Sequence, residues 1–153
     1  MQKSNLISFL KRLTPLEMRD LGYYIRSPFF NRNKSIVKLY EYLRKQYPDF
    51  EHGKIEKKYV YRKIFETADY NDGFMRVLTS TFTKLIEEYL VQVNFKTRPQ
   101  TKKLFLLNEL NLRKLEKEFK ASMNDTRKLF ATFPPNTMHY FFDKAMLEDN
   151  IYY

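Results

Sequence analysis

Cysteine and tryptophan are absent from this sequence, and glycine occurs only three times in 153 residues. Without cysteine the chain has neither disulfides nor thiolate metal ligands, and a reducing compartment is compatible with its composition. Three isolated glycines leave few positions for tight hairpins, which favours an all-α fold. The phosphate-binding and nucleophile motifs GxxxxGK[ST], GxGxxG and GxSxG do not occur.

Long apolar runs are also missing. The run from Leu6 to Leu10 is interrupted by Lys11 and Arg12, and it is shorter than the roughly 7–15 apolar residues of a secretory signal. No later stretch approaches the ~20 apolar residues of a membrane span. We therefore expect a soluble, cytoplasmic protein without a membrane span.

Residues that could carry chemistry are few. His52 and His139 are far apart, and neither has a second metal ligand at helical spacing. Neighbouring carboxylates such as Glu87 and Glu88 are typical of solvated helix faces rather than of acid–base pairs. We predict no catalytic residue, no metal site and no cofactor, and we keep an enzyme whose site is not visible in sequence as the third hypothesis.

Aromatic residues are abundant, with 14 Phe and 12 Tyr. In residues 71–95 the apolar side chains recur every three or four positions, which is typical of a broad helical face. Their burial is worth roughly 1.5–3 kcal/mol each and outweighs the poor helix propensity of Gly73 and three threonines, about 2–3 kcal/mol together. We predict residues 72–95 as the most buried helix. Its apolar members are Phe74, Val77, Leu78, Phe82, Leu85, Ile86, Tyr89, Leu90 and Val93.

Helix boundaries can be predicted from capping residues and prolines. Thr14, Pro15 and Glu17 form a capping box with proline at the first helical position, and this helix should end before Pro28. Phe29 and Phe30 are expected to pack under the loop that follows. Further helices are predicted over residues 34–47, with Asn33 as the cap, and over 57–65. Asn71 is the predicted cap of the central helix.

The C-terminal third is predicted as a helical hairpin. One helix should begin at Thr101 and continue to Ser122 or beyond, with a kink at 124–126, and Pro134-Pro135 should end it. Asn136 is the predicted cap of a last helix. The alternative is a β-hairpin over residues 91–107, which would form a winged helix with a basic wing; we favour continuous helix because the three-four apolar spacing continues.

These elements predict an all-α fold with two parts. Residues 1–97 form an orthogonal helical bundle that contains a helix-turn-helix-like unit. Residues 98–153 form an antiparallel long helix pair, continuous with the bundle or followed by missing C-terminal helices.

Three short segments, Leu13–Pro15, Ser27–Asn31 and Tyr70–Asp72, together with the apolar residues spaced through Leu90, resemble the N-terminal part of a family of larger, mostly helical bacterial proteins without an assigned function. The resemblance covers most of the chain, and it rests on a cap, a turn and a core helix. It implies a helical architecture and no activity. It also implies that the helix pair begins an α-solenoid, in which terminal units need further helices or a polar cap.

The net charge of +10 permits nucleic-acid binding. Residues 1–50 hold ten Lys and Arg against four Asp and Glu, and a basic surface can bind phosphates. A recognition helix contacts bases through its N-terminal half, which here would be that of the central helix. The candidate nucleic-acid-binding residues are Arg19, Arg26, Lys34, Lys38, Arg76, Ser80 and Thr83.

The leading hypothesis is a non-enzymatic interaction or scaffold module of a larger protein. The last predicted helix remains apolar to its end, through Ile151, Tyr152 and Tyr153. Tyr140, Phe141, Phe142 and Met146 add to this apolar surface, and such a patch marks an interface. Either a protein partner, further helices of the same chain or a second copy is expected to cover it, which makes a homodimer through the C-terminal helix one form of the hypothesis.

Overall fold

The computed structural model describes residues 4–65, 69–132 and 138–149, and all regular secondary structure in these residues is helical. The predicted all-α class is therefore confirmed. In chain order the helices are α1 (Asn5–Leu10), α2 (Pro15–Arg26), α3 (Lys34–Arg44), α4 (Lys57–Ile64), α5 (Asp72–Lys96), α6 (Pro99–Leu112), α7 (Glu116–Ala131) and α8 (Met138–Asp149), with a 3-10 turn at His52–Ile55. None of the described helices is both long and apolar enough to cross a membrane.

The chain divides into two compact units. Unit 1 ends at Val91 and unit 2 begins at Gln92, so the division lies within α5. The sequence predicts a boundary between residues 97 and 98, just after the end of α5 at Lys96.

The predicted caps form as expected. Thr14 Oγ1 accepts a hydrogen bond from the backbone N–H of Glu17 at 3.2 Å, and Glu17 Oε2 accepts one from the Thr14 N–H at 2.8 Å. Asn33 and Asn71 each accept a backbone N–H in the first turn of α3 and α5, at 2.9 and 2.8 Å. These bonds satisfy amide groups that have no partner within the helix, and so they define where each helix begins.

The core of unit 1 lies along α5. Phe82 is fully buried, and its ring meets the edge of Tyr40 on α3 at a centroid distance of 6.4 Å. At the start of α5 the predicted face is wrong by one position, because Met75 is buried whereas Phe74 and Val77 are exposed. The α5 residues in this core are Met75, Leu78, Phe82, Leu85, Ile86 and Tyr89.

The loop after α2 differs from the prediction for its first phenylalanine. Phe30 stacks on Tyr24 with the ring centroids 4.1 Å apart, but Phe29 is 87% exposed. Phe30 is itself 38% exposed, so the expected packing of both rings under the loop is wrong for Phe29 and only partial for Phe30. The two rings contact each other in a T-shaped arrangement at 4.9 Å. The helix that follows, α3, ends at Arg44 and is shorter than predicted.

The wing alternative for residues 91–107 is wrong. Residues 91–96 belong to α5, and residues 99–107 belong to α6. Pro99 occupies the first turn of α6, where its missing N–H costs nothing, so the helix restarts at proline rather than at Thr101.

The helix predicted from Thr101 onwards is broken. Between α6 and α7, Lys114 adopts a positive φ of 55°, the Leu115 N–H donates to the Leu110 carbonyl oxygen at 3.0 Å, and the Lys114 N–H donates to that of Asn111 at 2.9 Å. This pair of bonds is the Schellman helix ending, which usually has glycine at the left-handed position. Because this position holds lysine instead of glycine, the sequence contains no signal for the end of α6. The predicted kink at 124–126 is wrong, since these residues lie within the continuous α7.

In its described residues unit 2 has α6, α7 and α8 after the end of α5, where a pair of helices was predicted. α6 and α7 pack against each other across the turn at 113–115, and α8 packs against α6, where Thr101 Oγ1 donates to Asp143 Oδ2 at 3.0 Å. Its core contains Leu104, Leu107, Met123, Phe130 and Leu147. The predicted cap Asn136 and the apolar residues 151–153 lie outside the described residues.

Candidate functional site

The predicted nucleic-acid-binding arginines of α2 are paired with carboxylates. Arg19 Nη2 lies 3.2 Å from Asp20 Oδ1. Arg26 donates through Nε to Glu41 Oε1 at 3.1 Å and lies over the Tyr40 ring at 5.5 Å. A phosphate would have to compete with these carboxylates, which weakens both arginines as candidates.

Arg76 of α5 belongs to a network around Asp72. Its Nε lies 2.6 Å from Asp72 Oδ2, and Lys57 Nζ lies 3.4 Å from Asp72 Oδ1. The Tyr70 hydroxyl donates to the same carboxylate at 2.6 Å, which raises the pKa of Tyr70 to about 12 and lowers the pKa of Asp72. Asp72 stands in the first turn of α5, where a negative charge is favourable. The network therefore has a clear structural role at this helix end.

Ser80 and Thr83 line a shallow groove between α5 and the start of α1. The groove has a volume of about 340 Å³. Thr83 Oγ1 donates to the Thr79 carbonyl oxygen at 2.9 Å, so its hydroxyl is used within the helix. The lining also includes Ser4, Asn5, Leu6, Lys84 and Glu87.

The seven predicted residues do not assemble into one site in the described part of the chain. They lie on α2, α3 and α5, and no side-chain hydrogen bond or ion pair between described residues joins any two of them. Lys34 and Lys38 differ from the arginines because neither forms an ion pair with a described residue. Duplex DNA binding through the N-terminal half of α5 remains a prediction, and the pairing of Arg76 with Asp72 argues against it.

The two lysines belong to a surface that the sequence analysis missed. On α3, Lys38 Nζ lies over the ring of Phe65 at 5.9 Å, and on α4, Lys63 Nζ lies over the ring of Tyr59 at 5.7 Å. Tyr42 of α3 is close to Tyr59: its pKa is raised first by burial and then by Tyr59. These contacts bring α3 and α4 side by side. We call the surface formed by Lys34, Lys38, Tyr42, Tyr59, Lys63 and Phe65 the α3–α4 face.

The α3–α4 face combines positive charge with accessible rings. Lys34, Lys38 and Lys63 are exposed, Tyr59 is 42% exposed, and Tyr42 and Phe65 are half-buried. The Tyr42 hydroxyl donates to the Lys54 carbonyl oxygen at 2.7 Å, which fixes that ring. The KKYVYRKI composition of α4 could have indicated a basic helix, but only packing shows that it adjoins α3.

Unit 2 offers a groove and an exposed helix face. The groove, of about 220 Å³, lies at the turn between α6 and α7, where Lys114 and Lys120 stand beside Leu110, Leu115 and Phe119. On α8, the neighbouring Phe141 and Phe142 are 61% and 65% exposed. The second feature is the larger apolar exposure, and it coincides with part of the predicted apolar surface.

Among the described residues, no group of three or more His, Asp or Glu side chains is arranged to hold a metal ion. Comparison of the chain with models of protein families, with curated proteins and with solved structures found no significant match.

Proposed function

We propose that this chain is a non-enzymatic helical interaction module, and that α8 of unit 2 binds a second copy of the chain. The observation that carries the proposal is the exposure of Phe141 and Phe142. Each phenylalanine buried in an interface contributes roughly 1.5–3 kcal/mol of hydrophobic free energy. Adjacent exposed phenylalanines on a helix are therefore a favourable start for an interface.

The inner side of α8 is already occupied by the core of unit 2. Leu147 is buried there, and Tyr140 and Met146 pack against the same cluster. The Thr101–Asp143 hydrogen bond ties the middle of α8 to α6. One side of α8 therefore packs within unit 2, and Phe141 and Phe142 lie on its exposed side.

A second copy suits this surface because a two-fold interface brings the same patch of both copies together. Two antiparallel α8 helices that cross at the phenylalanine pair would pack Phe141 and Phe142 of one copy against those of the other. The phenylalanines therefore supply most of the affinity of the proposed dimer.

Sedimentation velocity from low to high micromolar concentration tests the proposal. We expect a concentration-dependent dimer that the double variant Phe141→Ser/Phe142→Ser abolishes. The matched control is Phe29→Ser, because Phe29 is 87% exposed in unit 1 and its replacement should leave the dimer intact. A monomer at every concentration, or equal loss of dimer in the control, would overturn the proposal.

Three broader expectations accompany this proposal. They are the cytoplasmic location, membership of a family of larger helical bacterial proteins, and the start of an α-solenoid. Each rests on the sequence and stays a prediction.

A further inference from the structure

We infer that the α3–α4 face is a binding surface for single-stranded nucleic acid. In this assignment Lys34, Lys38 and Lys63 contact phosphates, and the Tyr59 ring stacks on a base. The inference concerns unit 1 and is independent of the interface proposed for α8.

The first support is a local excess of unpaired positive charge. Helix α3 carries three basic residues and one acidic residue, and α4 carries four basic residues and no acidic one. The acid of α3, Glu41, is engaged by Arg26 of α2. Within the described residues, none of the three lysines of the face forms an ion pair, so their charges can attract an anionic partner without breaking a bond to a carboxylate.

The second support is the position of the rings among these lysines. Lys38 and Tyr42 are one turn apart on α3, and Tyr59 and Lys63 are one turn apart on α4. Because Tyr42 lies close to Tyr59, the four side chains form a pair of neighbouring rings with one lysine beside it on each helix. An acidic peptide would contact only the lysines. An unpaired nucleotide contacts both the lysines and the rings, because its phosphate binds a lysine ammonium group and its base stacks on a ring.

The exposed Tyr59 ring also favours a single strand over a duplex. In a duplex the faces of the bases are stacked on one another, so only base edges and phosphates are accessible. A single strand can place bases on aromatic side chains, and this stacking is worth about 1–3 kcal/mol per base. Tyr59 is the best placed ring, because it is 42% exposed whereas Tyr42 and Phe65 are half-buried.

Fluorescence anisotropy with a labelled thymine oligonucleotide of about 12 nucleotides tests the inference, since single-strand sites span roughly 4–16 nucleotides. The full chain should bind this probe at low salt. Tyr59→Ala, which leaves the charge unchanged, should weaken binding by about 5- to 150-fold, the equivalent of losing one stacked base. Lys38→Gln/Lys63→Gln should weaken binding and reduce the slope of log affinity against log salt by about 1.4.

Matched controls separate this surface from general attraction to a basic protein. Lys11→Gln/Lys84→Gln removes the same charge from exposed positions outside the face, and Tyr23→Ala removes a ring from α2 that is more exposed than Tyr59. These variants should bind within about twofold of the unmodified chain. Circular dichroism checks that every variant retains its helices.

Three outcomes would overturn the inference. They are no binding of the oligonucleotide at low salt, an equal loss of affinity in the control variants, or unchanged affinity after Tyr59→Ala. A labelled duplex of the same length is the competing ligand: tighter binding of the duplex would assign the lysines to double-stranded nucleic acid and reject the single-strand assignment. Preferential binding of the single strand supports it.

Discussion

The ring of Tyr40 lies directly against Gly22 of α2. The Tyr40 hydroxyl donates a hydrogen bond to the Met18 carbonyl oxygen at 2.7 Å. A Cβ atom at Gly22 would stand 2.5 Å from the Tyr40 hydroxyl oxygen and 2.9 Å from the ring carbon that carries it. Tyr40 is fully buried, so its ring has little room to withdraw. This close approach explains a glycine inside a helix, where alanine is intrinsically favoured.

Gly22→Ala should therefore destabilise the protein although it improves helix propensity. The propensity gain is about 1 kcal/mol, and overpacking a core costs typically 1–3 kcal/mol, so we expect a net loss of up to about 2 kcal/mol. Urea titration followed by circular dichroism measures the change in the free energy of unfolding.

Two variants control for this experiment. Gly53→Ala should change stability by less than about 0.5 kcal/mol, because no atom lies within 4 Å of the added Cβ. Adding Tyr40→Phe to Gly22→Ala removes the clashing oxygen, so the double variant should lose less than the sum of the single losses. Additive losses would contradict the contact.

Tyr89 should make stability depend on alkaline pH. Its hydroxyl donates to the Glu17 carbonyl oxygen at 3.0 Å, and burial, followed by the charges of Asp20 and Glu17, raises the pKa of Tyr89 from 10.0 to about 12. A tyrosine whose pKa is higher in the folded state than in the unfolded chain adds stability at any pH below the unfolded-state pKa. This added stability is lost as the pH rises from the unfolded-state pKa through the folded-state pKa. We expect the free energy of unfolding to decline between about pH 10 and 12, and Tyr89→Phe to flatten this decline.

At neutral pH Tyr89→Phe should cost about 0.5–1.5 kcal/mol, the net value of one hydrogen bond. Tyr23→Phe is the control, because its ring is 67% exposed and its replacement should change stability by less than about 0.5 kcal/mol. Unfolding titrations at several pH values supply both comparisons. The same alkaline decline in Tyr89→Phe as in the unmodified chain would assign the decline to other groups.

Lys114→Gly should stabilise unit 2. Lys114 has a φ of 55°, a left-handed conformation that costs a residue with a Cβ atom roughly 1–2 kcal/mol and costs glycine little. Glycine also loses more conformational entropy on folding, so we expect a net gain of about 0.5–1 kcal/mol. Thermal unfolding of the full chain should show an increase in the transition temperature.

The matched control for Lys114→Gly is Lys120→Gly. Lys120 is exposed within α7, where glycine is less favourable than lysine by roughly 0.5–1 kcal/mol. The two replacements are chemically identical, so opposite effects on stability would identify the backbone conformation as their cause. Destabilisation by both would show that position 114 does not require a positive φ.

Local signals were sufficient for much of unit 1. Thr14, Asn33 and Asn71 cap helices as predicted because each cap bonds a backbone N–H only a few residues away, and such contacts depend on short-range sequence. The long α5 was also predictable, since its apolar spacing extends over 25 residues. In contrast, the spacing of apolar residues in α5 did not predict that Phe74 and Val77 are exposed, because this spacing contains no information on which helix packs against each end of α5.

Tertiary structure decided the candidate surfaces, whereas the turn in unit 2 escaped prediction for a local reason. Its two closing hydrogen bonds join residues only three and five positions apart, but the left-handed position holds Lys114 instead of the glycine that usually marks such a helix ending. The pairing of Arg26 with Glu41 joins α2 to α3, and the approach of Lys38 to Phe65 joins α3 to the end of α4. Sequence alone determined that the chain is helical and basic. Packing decided which charges are paired and which remain available, because charge pairing depends on distances between helices that no local pattern encodes.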